Sequence, residues 1–181
     1  MGDFPELGRN QLGAYYIISP YSACSIGAVA GSFTSPASAA WPSANRAIYV
    51  PFRVDRSITA VKMWWYKGGT ITSATNFRAG VYSQDGTRLF RSVITGMSAG
   101  TNAIQEVDIT DTRFGPGLFY MALSCSSTAT VFFGAGLKGQ MMRGMGVAQQ
   151  AAASALPDPF TMAAMTATSI PLFGLSTRVT I

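Results

Sequence analysis

"RAGVYSQDGTRLFRS" (78–92) decides the reading of the fold. Alternating apolar and polar residues flank Asp85-Gly86, and both residues of that pair tolerate positive φ. The stretch therefore reads as a β-hairpin with a two-residue turn. That turn sets a register: Tyr82 opposite Leu89, Val81 opposite Phe90, Gly80 opposite Arg91 and Phe77 opposite Ile94. Alternation then places Phe77, Ala79, Val81, Phe90 and Ile94 on a core face, with Arg88 on that side at the rim. Arg78, Tyr82, Leu89, Arg91 and Val93 share the outer face. A wetted sheet face is more uniformly polar than this. Three readings fit: a contact surface for a partner, arginines lying over apolar neighbours, or cover by an arm of the same chain.

Working outward, strand signals recur at short spacing. "RAIYVPFRV" (46–54) contains Pro51 and reads as an edge or bulged strand. "ITAVKMWWY" (58–66) alternates, with Val61, Met63 and Trp65 on one face and Lys62, Trp64 and Tyr66 on the other. "AIQEVDIT" (103–110) follows, then, after the "FGPG" turn, "LFYMALSC" (118–125) and "ATVFFGAG" (129–136). Many short strands between turn residues predict an all-β, antiparallel β-sandwich of the jelly-roll type. Residues 1–45 read as an extended N-terminal arm, 46–134 as the sandwich core and 135–181 as a C-terminal extension. The extension reads as a loop, one short helix over 140–156 stopped by Pro157-Asp158-Pro159, and a final strand over 174–181.

Composition narrows the function. Of 181 residues, 48% are hydrophobic and only 12% charged, where about a quarter is usual. So little charge favours assembly with a partner. The net charge of +5 comes from dispersed basic residues, not from the clustered run of a nucleic-acid binder. No charge occurs between Asn10 and Asn45, yet Pro20, Pro36 and Pro42 interrupt that stretch, so it is not read as a membrane span. The first residues carry Asp3 and Glu6 in place of the basic start of a signal peptide. Cys24 and Cys125 read as buried thiols, with a single disulfide as the other option.

The absence of histidine removes Ser-His-Asp and Cys-His catalysis and most zinc sites. "GAGLKG" (134–139) lacks the spacing of a phosphate-cradling loop. Glu106, Asp108 and Asp111 read as an exposed strand running into a turn, in preference to a hydrolytic carboxylate pair or a calcium site. The chain is thus expected to be no enzyme and to need no metal or cofactor. The sequence singles out two sets of residues for contact. Tyr15, Tyr16, Ile17 and Ile18 in the first arm and Met141, Met142 and Met145 in the second suit adaptable subunit contacts, joined by Arg78 and Arg91. Outward Trp64 and Tyr66 suit stacking on sugar rings.

The run "GVYSQDGTRLFRS…VDITDTRFGPGLFYMALSC", with the returns "ALPDPF" and "SIPLFGL", resembles jelly-roll modules of tailed-bacteriophage structural proteins. The resemblance spans residues 46–134 and carries no catalytic residue. It implies a virion structural protein. No coiled-coil shaft is present, so the implied role is a capsid decoration (cement) protein, a homotrimer bound to the major capsid protein on the capsid exterior after assembly in the host cytoplasm. The alternative it implies is a tail or fibre receptor-binding module recognising host surface glycans. Neither reading involves nucleic acid or membrane.

Overall fold

The computed structural model describes residues 18–19, 22–24, 37–68, 76–92, 95–96, 103–128, 130–133, 146–166 and 170–179. In chain order the strands are β1 (Ile18–Ser19), β2 (Ser22–Cys24), β3 (Ala37–Ala40), β4 (Arg46–Val54), β5 (Ile58–Lys67), β6 (Asn76–Ser83) and β7 (Arg88–Arg91). They continue as β8 (Thr95–Gly96), β9 (Ala103–Phe114), β10 (Gly117–Cys125), β11 (Thr130–Phe133), β12 (Ala148–Gln150), β13 (Ala163–Ala164) and β14 (Phe173–Val179). They form two antiparallel sheets of seven strands. The first runs β1-β2-β14-β5-β11-β3, with β9 on the other side of β5. The second runs β13-β12-β4-β10-β6-β7, with β8 extending the β6 edge.

The sheets pack as a β-sandwich because each offers one apolar face. The second sheet contributes Ile48, Val50, Phe52, Phe77, Val81, Met121 and Leu123. The first contributes Ile58, Ala60, Met63, Trp65, Phe173 and Leu175. Trp65 and Phe77 stack across the gap, with ring centroids 5.6 Å apart and planes 10° from parallel. Trp41 meets the same phenyl ring edge-on and donates from Nε1 to the Arg46 carbonyl at 3.0 Å, which satisfies its buried N–H. Cys125 is a buried thiol directed at the Ser127 carbonyl.

Three local expectations change, each for a physical reason. In β5 the register shifts between Ala60 and Lys62, so Val61 sits at a bulge. Ile58 and Ala60 therefore join Met63 and Trp65 in the core, and Val61 is only half-buried. β4 is not an edge strand, since β12 and β10 flank it. Pro51 is tolerated because β12 pairs only with Ala47–Tyr49 and stops short of it. Of the helix expected over 140–156, residues 140–145 lie outside the described residues, and 146–156 form no helix but a strand, turns and irregular segments. Ala148–Gln150 pair with β4 instead, and Ala152 and Leu156 take φ of 51° and 52°, which a right-handed helix does not allow. Available strand partners here outweigh the helix preference of an Ala/Gln-rich segment.

Candidate functional site

The opening hairpin forms, but its turn holds one more residue than expected. Gly86 N–H donates to the Ser83 carbonyl and Ser83 N–H to the Thr87 carbonyl. Only Gly86 has positive φ, at 93°, the arrangement of a three-residue loop. The Asp85 carboxylate accepts from the Ser83 hydroxyl and from Thr87 N–H, which holds it below the usual carboxylate range. Beyond the turn Tyr82 pairs with Arg88, and Leu89 becomes the bulged residue. Val81 opposite Phe90 and Gly80 opposite Arg91 stand as the alternation predicts.

That single bulge moves Arg88 onto the outer face, since one residue of slip reverses side-chain direction. There it meets the chain's own segment 147–160. Arg88 N–H donates to Asp158 Oδ1 at 2.9 Å, its guanidinium donates to the Leu156 carbonyl, and Nη2 lies 3.9 Å from Asp158 Oδ2. Arg91 Nη1 donates to the Ala155 carbonyl at 2.8 Å. Beneath the strap, Ala47, Tyr49, Tyr82, Ala122, Ala153 and Leu156 form a second apolar cluster. Phe160 lies among Tyr49, Tyr82 and Tyr120 at centroid distances of 5.0, 5.2 and 5.4 Å, and its ring backs onto Gly86. Tyr49 donates to Gln150 Oε1 and Tyr82 to the Pro157 carbonyl. Burial pushes the Tyr82 hydroxyl up to about 12 and raises Tyr49 further. The hairpin's outer face is thus largely covered by the chain itself. Arg88, given no role on the sequence reading, is the main clasp. Only the position of the bulge reveals it, and the Asp85-Gly86 signal does not specify that bulge.

Arg78 is half-buried and Arg91 exposed on the margin of this strap. Burial lowers the Arg78 pKa, and the charges of Arg91 and Arg88 lower it further. The three guanidinium groups therefore crowd one margin, with Asp158 engaged by Arg88 alone among them.

The outer face of the other sheet is different. Register places Trp64 between Gly174 of β14 and Glu106 of β9, and Lys62 between Ser176 and Asp108. Tyr66 lies opposite Ile104, which is 56% exposed. Trp64 and Tyr66 are both partly exposed. Lys62 Nζ lies 3.4 Å from Glu106 Oε2 and 3.7 Å from Asp108 Oδ1. Its hydrogen bond to Glu106, then the charges of both carboxylates, raise the ammonium pKa.

Of the arm residues singled out by sequence, Ile18 lies in β1, the outermost strand beside β2, and its side chain is outside the described set. Tyr15, Tyr16, Ile17, Met141, Met142 and Met145 lie outside the described residues. Among the described residues no three side chains gather that could hold a metal ion, and no helix is long and apolar enough to cross a membrane. No known protein family, curated protein or solved structure matches the chain.

Proposed function

We propose that the protein is a non-catalytic structural protein of a tailed-phage virion, a jelly-roll decoration protein held on the outer capsid shell by protein–protein contacts. The observation that carries this reading is the arginine margin. Arg78, Arg88 and Arg91 line one edge of the strap, and burial first, then the charges of Arg91 and Arg88, disfavour the charge on Arg78. An acidic neighbour relieves such crowding and gains charge-assisted hydrogen bonds. The low charge of the chain and its uncharged N-terminal stretch agree with a surface designed for assembly. The N-terminal stretch also supplies β1 and β2, so Ile18–Ser19 end the sheet as an edge open to a neighbouring strand among the described residues. Several such modest contacts combine into firm attachment when made together.

The test is rebinding of the full chain to capsids that lack it, followed by co-sedimentation. Arg78→Glu is expected to weaken rebinding at least tenfold while circular dichroism stays unchanged, because Arg78 does not hold the strap in the way Arg88 and Arg91 do. Deletion of residues 1–24 is expected to weaken it further. Unchanged rebinding by both variants removes the reading. Mass spectrometry of separated heads and tails gives the location: recovery with heads at high copy number supports decoration, and recovery with tails overturns it.

A further inference from the structure

We infer that the outer face of the first sheet is a binding platform for a neutral saccharide, built by Trp64 and Tyr66 of β5 with Glu106 of β9. This inference does not depend on where the chain sits in a virion. It rests on four features of the face.

The first is spacing. Trp64 and Tyr66 are two residues apart on one strand, so their side chains leave the same face about 7 Å apart. The second is freedom of approach. The strand position beside Trp64 on β14 is Gly174, which has no side chain to wall the indole, and both aromatics retain exposed surface. The third is hydrogen-bonding character. Glu106 stands directly opposite Trp64, and an ionised carboxylate only accepts, so the ligand must donate. A pyranose does both things at once: its C–H face lies on an aromatic ring and its rim hydroxyls donate to carboxylates.

The fourth feature is charge balance, and it separates a neutral sugar from its competitors. Along this face Lys62 lies against Asp108, and Arg113 pairs in register with Thr59; with the exposed Asp111 of β9, three carboxylates accompany two cations. An anionic sugar meets two carboxylates at the aromatic centre. A cationic peptide meets a Lys62 ammonium already seated between them. A neutral polyol suffers neither repulsion. Lys62 in turn orients Glu106 without consuming its second oxygen, because the contact is to Oε2.

The three tryptophans make the test direct. Trp41 is 1% and Trp65 0% exposed, so Trp64 alone of the three is open to quencher. The full chain is titrated with cellohexaose, maltohexaose, chitohexaose and mannohexaose, with oligogalacturonate as the anionic probe and hexalysine as the cationic one. Expected is a shift in tryptophan emission and protection from acrylamide with at least one neutral hexamer. Trp64→Ala should weaken that hexamer ~30-fold, the size of an aromatic hot spot. Glu106→Gln should weaken it ~10-fold, the loss of a charge-assisted hydrogen bond, with unfolding midpoints unchanged. No response to any neutral hexamer up to about 10 mM overturns the inference, because recognition weaker than that is negligible. So does full-affinity binding by the Glu106→Gln and Trp64→Ala proteins, or preferential binding of the anionic or cationic probe.

Discussion

The two outer faces of the sandwich have been treated in opposite ways. On the second sheet, Tyr49, Tyr82 and Ala122 are fully buried because residues 147–160 lie over them. On the first sheet, Trp64 and Tyr66 stay partly exposed beside Ile104, Glu106 and Asp108. Both faces carry aromatic side chains, so apolarity alone does not draw a cover. The difference lies in what closes the edges. On the covered face Arg88 and Arg91 donate to the strap's Leu156 and Ala155 carbonyls, and the strap's Asp158 accepts from Arg88 N–H, which clasps it in place. On the open face Lys62 of β5 is paired instead with Glu106 and Asp108 of β9.

The comparison breaks most sharply at Leu156. Its side chain, on the strap, is fully buried against the sheet, and Leu156→Ala is expected to destabilise by about 3 kcal/mol in urea unfolding. A change as small as that of an exposed leucine would show that the strap is not packed. Next is Arg88→Ala, which removes a charge-assisted bond to the Leu156 carbonyl and the ion pair with Asp158. The expected loss is about 2 kcal/mol, with faster limited proteolysis within 151–158 while the sandwich survives. Simultaneous cleavage throughout the chain would show that strap and sandwich unfold as one.

Alkaline pH should act on the covered face through Tyr82. Tyr82 ionises near 10.0 when unfolded and is pushed up to about 12 in the fold, first by burial. Its contribution to stability is therefore complete below pH 10 and is lost as pH rises through 12. Unfolding midpoints should fall across that window, and more gently in Tyr82→Phe, where Tyr49 and the Lys62 ammonium continue to respond. An identical decline in the Phe variant would place the titration elsewhere. The smallest effect belongs to the open face. Ile104→Thr replaces a side chain 56% exposed and should shift stability by less than ~0.5 kcal/mol. A larger loss would mean that this face is covered after all.

Much of the architecture is legible in single residues. Alternation in "NFRAGVYS" gives the buried Phe77, Ala79 and Val81, and the expected pairs Val81/Phe90 and Gly80/Arg91 hold. The outward direction of Trp64, Tyr66, Glu106 and Asp108 is equally readable. Not readable were the bulges at Val61 and Leu89, which depend on how a partner strand and turn share one extra residue. The Arg88 clasp follows from the second of these and was hidden with it. Nor does "QQAAASAL" reveal that it will strap a sheet: its helix preference is a few tenths of a kcal/mol per residue, less than the β4 pairing and the apolar cluster offer.

The sequence by itself determined the class, most strands and their facing away from the bulges, because side-chain alternation and turn chemistry are local properties with a period of two. It did not determine which sheet each strand joins. The "FGPG" segment reads as a turn without saying what it joins, and there the chain crosses from β9 in one sheet to β10 in the other. Sheet membership depends on pairing between residues distant in sequence, such as Phe173 with Trp65 and Ala148 with Tyr49. Those pairings, with the core that forms between the sheets, decide which apolar face is covered and which is left open. No local pattern carries that choice, because it is settled only when both sheets compete for the same covering segments.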